Sequence, residues 1–69
     1  MSPAERLRTA LRDLDRAVTA GDLLATTGAL VEASSLTLRL QGARGADALL
    51  IEARTAIAVC AQRADFFRH

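Results

Sequence analysis

Sixty-nine residues allow one small domain, and a chain this short buries only about 60% of the surface its unfolded form exposes. Nine Arg face eight Asp and Glu, a net charge of +1 that excludes a strongly polyanion-seeking or polycation-seeking surface. One cysteine excludes a disulfide framework and a cysteine-based zinc site. The composition is nevertheless apolar: 51% of residues are hydrophobic and mean hydropathy is +0.17, more than one small core readily absorbs.

The first element opens with a start signal. Ser2, Pro3 and Glu5 match a capping box with proline at the first helical position. Ala4, Leu7, Leu11, Leu14 and Val18 then alternate at spacings of three and four, with charges between them, which predicts an amphipathic helix over about residues 3–20. Gly21 is placed for a left-handed stop, and Asp22 for the N-cap of a second helix.

The second element runs over about residues 22–41. Leu24, Val31 and Leu38 repeat every seven residues, flanked by Leu23, Thr27, Leu30 and Ser34, and share a broad face. Leu36 and Leu40 point away from it. Residues 36–40 alternate apolar and polar, a strand pattern in isolation, but a lone strand has no partner in this chain. Helix is the expectation, weakened locally by Gly28, Ser34 and Ser35.

Residues 41–45, with Gly42 and Gly45 bracketing Ala43 and Arg44, read as a loop. The third element spans about residues 46–67. Ala46, Leu49, Leu50, Ala53, Ile57, Cys60, Ala64 and Phe67 form one stripe, and Ala48, Ile51, Thr55, Val59 and Phe66 form a second on nearly the opposite side. A helix apolar on two faces is normally buried on both. The expected fold is therefore all-α: an antiparallel bundle of three helices, or a helical hairpin with a long third helix, in one domain over residues 1–69.

In a three-helix monomer each helix needs one apolar stripe. The first obeys that rule, while the second and third exceed it. Leaving Leu36, Leu40, Ile51, Val59 and Phe66 in water makes a patch of the kind that marks an interaction site. Each such side chain contributes roughly 1.5–3 kcal/mol when buried. Five supply about 7–15 kcal/mol, comparable with the whole stability of a small domain. These five are the candidate docking surface, with Arg54 and Arg63 orienting a partner at its rim. The competing reading is steep helix crossing that wraps both faces internally.

Chemistry-bearing groups do not converge. Cys60 lies on the main stripe of the third element and reads as a small hydrophobe. The single histidine, His69, has no second ligand at helical spacing. Asp13 and Asp15, two apart on a helix, diverge and offset Arg12 and Arg16. Gly42 and Gly45 lack the companions of a phosphate loop. The expectation is a non-enzyme without cofactor, metal or small-molecule substrate. Arg8, Arg12 and Arg16 form an i, i+4 row able to track phosphates. Glu5 and Asp15 sit beside it and no aromatic is placed for base stacking, so a solvated helix face is the better reading and a small Arg-based nucleic-acid module comes third. No apolar run approaches a membrane span or a signal peptide, so a cytoplasmic protein is expected. Arginine without a single lysine suits a GC-rich bacterial genome.

Residues 7–40 resemble the helical-hairpin chaperones of bacterial export systems: the small co-chaperones of type III secretion needle subunits and the flagellar export chaperones. Leu7, Leu11, Leu14 and Val18, then Ala20-Gly21-Asp22-Leu23, then Leu30, Val31, Leu38 and Leu40 carry the likeness, over about half the chain. The apolar third element departs from the shortest members. The resemblance implies a cytoplasmic, non-enzymatic chaperone or adaptor that binds an amphipathic helix of a secretion or flagellar partner. The alternative is a homodimeric bundle with a structural or regulatory role.

Overall fold

The computed structural model describes residues 2–67, with side chains for residues 2–63. It contains three helices, α1 (Pro3–Ala20), α2 (Leu23–Leu40) and α3 (Asp47–Phe67), each packed against the other two. No strand occurs among the described residues, so residues 36–40 are helical despite their alternating pattern. The protein is an all-α three-helix bundle.

Local chemistry sets the ends of α1 and the start of α2. The Glu5 amide donates to Ser2 Oγ at 3.2 Å, and Pro3 occupies the first turn, where a missing N–H costs nothing. At the other end Gly21 takes φ 71°, a conformation only glycine enters without strain. Its amide donates to the Val18 carbonyl at 3.1 Å while that of Asp22 donates to Ala17 at 3.0 Å, the paired bonds of a Schellman stop. Asp22 then caps α2 by accepting the Ala25 amide at 3.0 Å. Two residues thus end one helix, reverse the chain and start the next. α2 folds back antiparallel along α1, with Arg6 beside Glu32 at 3.8 Å. That ion pair is half exposed and contributes at most a few tenths of a kcal/mol.

The core lies in two clusters. Leu7, Ala10, Ala33, Leu36, Leu40, Ala46, Leu49, Leu50 and Ala53 fill the end nearer the α2–α3 loop. Leu14, Val18 and Cys60, flanked by Ala29 and Leu30, fill the end nearer the α1–α2 turn. On α1 the buried set includes Ala10 and Ala17 between Leu7 and Leu14 and beside Val18. Ala10 packs with Ala33 of α2 and lines the same crevice as Ala29, and small side chains at the contact let the two axes approach closely. α3 buries the stripe expected of it: Ala46, Leu49, Leu50, Ala53 and Cys60 are buried and Ile57 is half-buried. Ala64 and Phe67 of that stripe lie outside the described side chains.

α2 is turned over relative to the sequence expectation. Leu36 and Leu40, assigned to the free face, are 3% and 8% exposed and belong to the larger cluster. Leu24, Val31 and Leu38 are 85%, 66% and 67% exposed. The two faces are opposed as the periodicity requires, but the one with the strict seven-residue repeat faces water. The physical reason is packing distance. α2 touches both α1 and α3, and its inward face carries Thr26, Ala33 and Thr37 beside the two leucines. Small residues fit a tight contact where a row of Leu24, Val31 and Leu38 would hold the helices apart. Burying two threonines is inexpensive because each hydroxyl returns to its own helix: Thr26 Oγ1 donates to the Asp22 carbonyl and Thr37 Oγ1 to the Ala33 carbonyl, both at 2.7 Å.

Candidate functional site

Leu24, Val31 and Leu38 stand one above another on α2. Steps of seven residues rotate a helix by only about −20°, so the three stay on one side over a rise of about 21 Å. Thr27, Gly28, Ser34 and Ser35 fill the positions between them, and the nearest charges on α2, Glu32 and Arg39, lie on the flank. A Cβ added at Gly28 meets nothing within 4 Å, so this part of the face is open. The seam points away from Ala33 and Thr26, both fully buried.

A second apolar face runs along α3. Ile51 is 65% and Val59 44% exposed, with Ala48, Thr55 and Ala58 beside them. Arg54 and Arg63 are exposed on the same helix, Arg54 sharing a shallow depression with Asp47, Ile51 and Gln41. Phe66 lies outside the described side chains. Of the surface expected from sequence, Ile51, Val59, Arg54 and Arg63 are therefore exposed. Leu36 and Leu40 are not, and Leu24, Val31 and Leu38 take their place. A signal for this was present: Ala29 and Ala33, with Thr26 and Thr37, mark a close-packing face on α2 that matches Ala10 and Ala17 on α1.

Among the described residues the polar groups do not assemble into a chemical site. Among the described residues no group of three or more His, Cys, Asp or Glu could hold a metal ion. The Cys60 thiol is buried; loss of water raises its pKa, nearby Asp15 raises it further, and Arg63 opposes both. A thiol so placed is held in its unreactive protonated form at neutral pH. Arg8, Arg12 and Arg16 do share one groove between α1 and α3, over Leu11 and Ala56, but Asp15 and Glu52 line it with them. Mixed signs along one groove are a poor track for a continuous phosphate backbone. Among the described residues no helix is long and apolar enough to cross a membrane.

No family model, no curated protein and no solved structure matches the chain.

Proposed function

We propose that this chain is a non-enzymatic protein-binding module whose docking surface is the outer face of α2, with Ile51 and Val59 of α3 as a secondary contact. The observation that carries the reading is the exposure of Leu24, Val31 and Leu38, a heptad-spaced apolar row opposite the helix's own core face. An apolar stripe of that spacing is what a second amphipathic helix recognises. The α1–α2 hairpin supports a finer reading: a small cytoplasmic chaperone or adaptor, of a bacterial secretion or flagellar system, that shields an amphipathic client helix.

A photo-activated cross-linker placed at Val31, and in parallel at Arg12 on the charged face of α1, tests the module in its native cell. Protein adducts are expected at position 31 and not at position 12. Equal labelling at both positions, or none at either, refutes a docking role for α2.

A further inference from the structure

We draw no further inference here: the strongest candidate, the exposed apolar row of Leu24, Val31 and Leu38 on the outer face of α2, belongs to the docking surface already proposed, and nothing in the structure shows what covers it.

Discussion

Leu36 and Leu38 are the same residue type, two positions apart on one helix, and the structure assigns them opposite fates. Leu36 sits in the larger core cluster, whereas Leu38 is two-thirds exposed. Truncation of either to Ala removes three carbons. At about 0.8 kcal/mol per buried methylene, Leu36→Ala forfeits about 2.4 kcal/mol of transfer energy, and incomplete collapse of the cavity brings the loss to about 3 kcal/mol. Leu38→Ala forfeits about a third of the transfer term, about 0.8 kcal/mol, and recovers ~0.2 kcal/mol from the better helix propensity of Ala. The difference is about 2–2.5 kcal/mol, or roughly 10–20 °C in Tm for a domain of this size. A core this small supplies only about 3–5 kcal/mol in total, so Leu36→Ala is expected to be partly unfolded at 25 °C. Leu36→Val, at about 1 kcal/mol, keeps the comparison measurable. The assay is urea unfolding followed by circular dichroism at low micromolar concentration. Equal losses at the two positions, or a larger loss at Leu38, would refute the assignment of the core face of α2 and the docking face with it.

Two glycines predict effects of opposite sign. Gly21→Ala forces a side chain into the left-handed region and is expected to cost about 1 kcal/mol, whereas Gly28→Ala, in an open helical position, is expected to stabilise the monomer by about 0.5–1 kcal/mol. Thermal melts of both variants at low concentration check the pair, and a loss at Gly28 would mean that something in the monomer already crowds it. Burial raises the Cys60 pKa, with Asp15 adding to the effect. From the ordinary thiol value near 9.0 upward, the unfolded chain therefore releases a proton that the folded chain still holds. The stability contributed by the protonated thiol is full below that pH and lost as pH rises through the folded value. Urea midpoints are expected to fall above pH 9.0 more steeply for the wild type than for Cys60→Ala; parallel curves would refute the buried placement.

The features legible along the chain are local. Ser2 with Pro3, Gly21 followed by Asp22, and the glycines of residues 41–45 mark helix ends because capping needs only neighbours within four residues. α1 is legible through its core because its charges leave one apolar stripe. α3 is legible because its two stripes differ: the first is larger and continuous, the second diluted by Ala48 and Thr55. The exposed face of α2 is not legible in the same way, and periodicity sets Leu36 and Leu40 outward when they belong inside. On α2 both faces are apolar, and hydrophobicity, the only quantity periodicity weighs, does not separate them.

The sequence by itself determined that three helices form, where they stop, and that α2 has two apolar faces set opposite one another, since rotation per residue is a property of the helix alone. Only the tertiary structure decided which of those faces is interior. That choice turns on how near α1 and α3 come to α2. Ala10 of α1 packs with Ala33 on the inward face of α2, which also carries the buried Thr26, and that contact leaves Leu24, Val31 and Leu38 on the outside.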